Sequence, residues 1–208
     1  MGRDRFEDFC FENGFKIGTR RNPQRTTNSL GVTRFENHLK DRELTGINQV
    51  WVSDITYYRI EETFYYLTFI MDLFSRSIVG YKASKRLLCE QTTMPALEMA
   101  ISDQKPDKNL ILHSDGGGQY FSKKFLVLTS AVNIINSMAE IVFENPHAER
   151  LNGIIKNDYL SGYQPKNFTE LEEMLKKAVY MYNYLRPHGA TNKLSPKQFE
   201  KLSTRNPQ

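Results

Sequence analysis

A chain of 208 residues with 39% hydrophobic and 12% aromatic content can bury one good core with a small appendage. Its formal net charge of +4 is compatible with an anionic partner without requiring one, so the distribution of charge matters more than the sum. Cys10 and Cys89 are the only cysteines and sit in no zinc or disulfide spacing, and the longest apolar run, near Tyr65 to Met71, is too short to span a bilayer.

In chain order, residues 4 to 13 suit a short helix with Phe6, Phe9 and Cys10 on one side, marginal on its own. The acids in MGRDRFEDFC stand where a signal peptide would have its apolar core, so the chain reads as cytoplasmic. From Lys16 to Arg34 the sequence has Arg20, Arg21 and Arg25 and no acid, among Gly, Pro, Thr, Asn and Ser. It is either a solvated linker or an arm that tracks phosphates.

After Asn48 the pattern turns to strands: QVWVSDITYYRI, a turn at Glu61-Glu62-Thr63, then FYYLTFIMDL and RSIVGYKASK. Such short connections imply an antiparallel meander. A helix is expected over Leu87 to Ser102, kinked by Pro95. NLILH, Asn109 to His113, suits a central strand covered on both faces. A helix over Ser122 to Ala131, a short strand over Asn133 to Met138, and helices over 145–159 and 169–185 follow. The last of these opens on a Thr169/Glu172 capping box, and a final helix starts at Ser195-Pro196 with Gln198 completing its box. Three antiparallel strands followed by alternating helices and strands make a mixed sheet with helices on its faces.

Three carboxylates stand out. Asp54 lies mid-strand among Val, Trp, Ile, Thr and Tyr, where a charge is costly without a partner, and a plain structural role competes with metal binding there. Asp115 follows a buried strand in HSDGGGQY, at the carboxyl end where ligands of α/β sheets gather; the spacing of a nucleotide-binding P-loop is absent. Glu149 falls with Asn145, Asn152 and Lys156 on one face of a helix whose opposite face carries Leu151, Ile154, Ile155 and Tyr159. That stripe is either solvated surface or a carboxylate beside a phosphate-binding cation. Asp72 reads as a turn-former, His113 as a structural neighbour, and Arg186-Pro187-His188 as either a helix cap or a DNA contact.

In that order, WVSDITYY, HSDGGGQY and HAERLNGIIK resemble the catalytic blocks of retroviral-integrase-like bacterial transposases, the OrfB proteins of the insertion-sequence-three family. The resemblance runs from about Asn48 to Phe199 and includes Tyr182-Asn183, Arg186-Pro187-His188 and Leu194-Ser195-Pro196. It implies an α/β RNase H-like fold, a mixed five-stranded sheet with three antiparallel strands followed by two parallel ones, flanked by helices. It implies a catalytic and metal-binding triad of Asp54, Asp115 and Glu149 holding two Mg²⁺ ions, with Mn²⁺ as a substitute, for DNA cleavage and strand transfer. Lys156, Asn152, Arg150, Gln119, Arg186, His188, Arg20, Arg21 and Arg25 are the candidate DNA contacts. The interval from Asp115 to Glu149 is slightly shorter than the family's, which bears on the loop Ala139 to Glu144.

The expected organisation is a basic N-terminal arm with a helix-turn-helix remnant over 1–45, a catalytic core over 46–160, and a helical extension over 161–208. The expected partner is DNA, element ends and target, bound by a homo-oligomer in the bacterial cytoplasm near the nucleoid, with no membrane and no small-molecule substrate. Two alternatives stand beside the transposase: a truncated, non-catalytic DNA-binding remnant, and an RNase H-like nuclease that only cleaves.

Overall fold

Alternation in the first strand dictates how the molecule is layered. In the computed structural model, which describes residues 3–15, 35–39, 42–107, 109–139 and 145–203, β1 spans Val50–Ile60. Val50 and Val52 enter one hydrophobic cluster while Trp51 enters another, as a two-residue period requires. β2 (Thr63–Asp72) pairs antiparallel with β1, and β3 (Ile78–Ser84) antiparallel with β2. β4 (Ile111–Ser114) and β5 (Ile135–Met138) add in parallel, giving the order β3-β2-β1-β4-β5. The five-stranded mixed sheet expected from the sequence is the one found.

Helices cover both faces. α2 (Thr93–Gln104) and α3 (Lys123–Ala131) bury Ala96, Leu97, Ala100 and Phe125 against Trp51, Ile70 and Leu112. On the other face α4 (Pro146–Ile154) continues through a wider π-type turn (Ile155–Leu160) into α5 (Ser161–Tyr163). α6 (Phe168–Tyr184) lies beside it, and Leu151, Ile155, Leu171, Leu175 and Ala178 close over Val50, Val52, Phe69 and Met71. α7 (Pro196–Ser203) ends the described chain, and Ser195 and Gln198 exchange the expected capping bonds.

Several expectations are corrected. Pro95 does not kink α2, because the helix begins at Thr93 and the proline falls in its first turn, where a missing N–H costs nothing. Cys89–Gln91 forms a separate 3₁₀ turn before it. The cap of α6 is not Thr169 with Glu172: Asn167 Oδ1 accepts from the Glu170 amide and Glu170 Oε2 accepts from the Lys166 amide. Glu172 instead pairs with Lys82 on β3 at 3.2 Å. α1 (Arg3–Glu12) forms as expected, with Phe9 and Phe11 exposed. Arg20, Arg21 and Arg25, and most of the Ala139 to Glu144 loop, lie outside the described residues.

Candidate active site

Asp54 has the same parity as Val50 and Val52, so its side chain leaves β1 on the α4 side of the sheet. There Ile55 N–H donates to its Oδ1 at 2.8 Å and Asn152 Nδ2 to its Oδ2 at 2.6 Å. β4 runs parallel to β1 with Ser53 opposite Ser114, so the next step of that register brings Asp115 beside Asp54. Asp115 Oδ1 accepts from Gly117 N–H at 3.0 Å, an Asx turn that holds the carboxylate as the chain leaves the sheet. Gly116 makes the turn possible: its φ is +80°, and a Cβ there would lie 2.6 Å from the Met138 methyl group.

Glu149 comes from the first turn of α4, whose start is tied to the sheet by Asn145 Nδ2 donating to Ser53 O at 3.1 Å. Farther along the same face Lys156 Nζ donates to Thr56 Oγ1 at 3.0 Å and to Tyr57 O, and sits 5.2 Å above the Tyr57 ring. Within the polar stripe Asn145, Asn152 and Lys156 therefore bond to β1, while Glu149 beside them stays exposed to solvent.

The electrostatics mark a centre short of positive charge. Burial, the charge of Asp115 and that of Glu149 push the Asp54 carboxyl up to about 8, against the opposing bonds from Ile55 and Asn152. Asp115 is raised as well, first by loss of water around its carboxyl group and against the Gly117 bond, although its side chain keeps an open edge to solvent. Beneath both, the buried Tyr120 hydroxyl lies 2.8 Å from Ser53 Oγ, and burial, Asp115 and Asp54 raise its phenol well above the ordinary value. Hard oxygen donors with mutually opposed charges suit a divalent cation, which would supply the missing charge. Among the described residues no three His, Cys, Asp or Glu side chains already close around one point; the structure holds the acidic donors on three separate elements.

A groove of about 820 Å³ runs from Asp54, Glu149, Asn152 and Lys156 along β1 toward its hairpin. Its lining adds Arg59, Asn157, Gln164 and Lys166, none of which the sequence reading singled out. Lys166 lies in an aperiodic loop, so no pattern marked it. Other candidates are not gathered here. Gln119 donates to Leu87 O at 3.3 Å on the α2 side, and Arg150, Arg186 and His188 line a separate cavity. Asp72 is the turn-former expected, accepting from the Asn48 and Ser75 amides, and His113 is buried on β4 with Nδ1 3.0 Å from Ser137 Oγ.

The integrase core domain matches residues 45–141, and a second integrase core domain profile matches residues 141–196. A 31 kDa protein of insertion element IS600 from Shigella sonnei is 31% identical over 204 residues, covering 96% of this chain and 75% of that protein. The chain belongs to the integrase core domain family. The transposase InsF of insertion sequence IS3A from Escherichia coli is 33% identical over 178 residues, covering 82% of this chain and 60% of its own length. These relatives bear out the resemblance to insertion-sequence-three transposases, and the chain is a DDE-type transposase core that spans only part of the InsF length. In structure this integrase core is similar to the HTLV-2 integrase catalytic core in complex with magnesium, at a TM-score of 0.64 and 25% identity over 76% of this chain and 99% of that one. A chain of the simian T-cell lymphotropic virus intasome in complex with the PP2A regulatory subunit B56 gamma shares the fold at a TM-score of 0.66 and 23% identity, over 86% of this chain and 60% of that one. Among the described residues no helix is long and apolar enough to cross a membrane.

Proposed function

We propose that this transposase core cleaves a DNA strand at the ends of an insertion sequence and joins the freed 3′-hydroxyl to another phosphodiester, with Asp54, Asp115 and Glu149 as its catalytic carboxylates. The observation that carries the reading is the adjacency of Asp54 on β1 and Asp115 just past the end of its parallel neighbour β4, with the charges of Asp115 and Glu149 bearing on Asp54. Asp54, Asp115 and Glu149 would hold two Mg²⁺ ions, which when bound supply the positive charge that activates a nucleophile and stabilises a leaving oxygen in an in-line displacement. The HTLV-2 core was solved with magnesium, which supports the choice of metal.

The chain's own residues do the positioning. Asn152 and the Ile55 amide fix both oxygens of Asp54, and the Gly117 amide fixes Asp115. Lys156, held over the groove by Thr56 and the Tyr57 ring, offers a cation to the phosphate backbone, and Arg59 and Lys166 extend that track. In cleavage a water oxygen bonds to phosphorus, the bond to the 3′-oxygen breaks, and that oxygen takes up a proton. In joining, the 3′-hydroxyl is the nucleophile and a second 3′-oxygen leaves.

Pairing of two element ends calls for a homo-oligomer on DNA. Residues 46–160 are read as the catalytic core, 161–208 as its helical extension and 1–45 as a DNA-binding arm. The test is a strand-transfer assay with end-containing duplexes and Mg²⁺. Asp115→Asn and Glu149→Gln should each lower both nicked and joined products by at least about 100-fold. Undiminished activity in both removes the triad assignment, nicked product without joined product from the unaltered protein identifies a nuclease, and DNA binding without either product identifies a non-catalytic remnant.

A further inference from the structure

α4 has two working faces. Glu149 and Asn152, with Lys156 in the π-type turn beyond, face the groove of Asp54, while His147, Arg150 and Ile154 line a separate cavity of about 240 Å³ closed by Arg76 from the β2–β3 turn and by Arg186 and His188 after α6. Three guanidinium groups thus meet at one small pocket. Among the described residues one ion pair meets them, Arg186 Nη1 with Asp158 Oδ2 at 2.8 Å; Arg76 and Arg150 form none, although the charge of Asp72 bears on Arg76. Two polar nitrogens are left over inside: Arg76 Nη1, a donor, and His188 Nε2, which donates in one of the ring's two neutral tautomers, are buried without a hydrogen-bond partner. Buried polar groups are nearly always satisfied, so the orphaned Arg76 donor at a basic cavity indicates a missing acceptor.

The backbone adds to this. Arg76 has a φ of +66°, a conformation that glycine or asparagine takes at less cost, yet the position carries a long cation aimed into the cavity. The ring of Tyr182, 4.7 Å from that of His188 and edge-on to it, braces the opposite wall.

We infer that the pocket of Arg76, Arg150, Arg186 and His188 binds a phosphate of the DNA backbone, on the face of α4 turned away from the acidic groove. A tetrahedral phosphate accepts hydrogen bonds from several directions at once, which suits guanidinium forks arriving from three elements, whereas a carboxylate accepts them mainly in its own plane. This rests on DNA being the substrate, as proposed above.

Two probes separate the sources of such a phosphate. Inorganic phosphate, compared with chloride at equal ionic strength, should raise the melting temperature of the unaltered protein, and Arg150→Gln should remove most of that rise. Arg150 is exposed on α4 and glutamine is a good helix former, so folding is not at risk. With a fluorescein-labelled duplex, the slope of log affinity against log salt should fall by about one in Arg150→Gln. Arg186→Gln should show the same drop.

Loss of phosphate protection with an unchanged salt slope would mean a site for free phosphate and overturn the DNA assignment. No phosphate protection in the unaltered protein, with the slope unchanged in both folded variants, would overturn the pocket altogether. Failure of the transposase reading looks different: no joined product in the strand-transfer assay, with the salt slope still responsive to Arg150.

Discussion

At the scale of single residues, the cost of Asp54 explains both its surroundings and how to test them. A carboxyl whose folded pKa is pushed up to about 8 keeps a proton that the unfolded chain releases near pH 4. Between those values the folded state binds more protons than the unfolded one, so stability falls as pH rises across this window. Asp54→Asn removes the charge and should flatten that dependence. Its amide Oδ1 can keep the Ile55 bond, and Asn152 has an unpartnered buried Oδ1 that can accept from the new amide once its own amide turns over. In EDTA at pH 8 the variant should be more stable than the parent by at least about 1 kcal/mol, with the gain vanishing toward pH 4. A variant that melts lower than the parent throughout would make Asp54 a structural residue. Periodicity singled out Asp54, Asp115 and Glu149 as candidates with plain structural readings beside them, and only the family resemblance joined them as a triad. Neither could mark Tyr120 or Ser53, whose contact beneath the two aspartates joins positions 67 residues apart.

At the scale of elements, the sequence showed most where a pattern repeats locally and least where one backbone leans on another. The strands and the Ser195 cap follow from alternation and capping chemistry. The start of α6 did not, because Thr169/Glu172 and Asn167/Glu170 are overlapping boxes and only the fold decides between them, by giving Glu172 to Lys82. Gly80 is the sharper case. In IVGY it reads as an ordinary strand glycine, yet α2 crosses β3 so closely that a Cβ there would lie 2.1 Å from the Ala96 carbonyl oxygen and 3.0 Å from Ala100 Cβ. The obstacle is helix backbone, which cannot swing aside, so Gly80→Ala must lift α2 off the sheet. We expect a loss of about 3 kcal/mol, read as a lower denaturant midpoint with the slope preserved. A change under about 0.5 kcal/mol would show that the α2–β3 contact is looser than the structure has it.

At the scale of the whole molecule, the helices after Leu160 are part of what makes the catalytic layer a folded object. Leu171, Leu175, Ala178 and Tyr182 of α6 belong to the same buried cluster as Val52, Phe69, Leu151 and Ile155. Asn183 donates to Ile78 O and accepts from Ile78 N–H, both at 2.8 Å, satisfying backbone groups of edge strand β3. From α7, Glu200 accepts from Ser75 Oγ at 2.9 Å and Phe199 packs on Phe74, so the turn that carries Arg76 is anchored from the far end of the chain. The boundary drawn at 160 from sequence separated a core from an extension, because the three carboxylate-bearing blocks end before it, although the family resemblance runs on to Phe199. A chain ending at Leu160 should therefore lose cooperative thermal unfolding and bind a hydrophobic dye, since the part of the sheet face and of α4 that α6 covers would be exposed. Leu171→Ala in the full chain offers a milder version, with an expected cost of about 2–5 kcal/mol and an unchanged fold. A truncated chain that still melts cooperatively within a few degrees of the full one would make 161–208 a true appendage, and the Arg76 turn would then owe its conformation to the sheet alone.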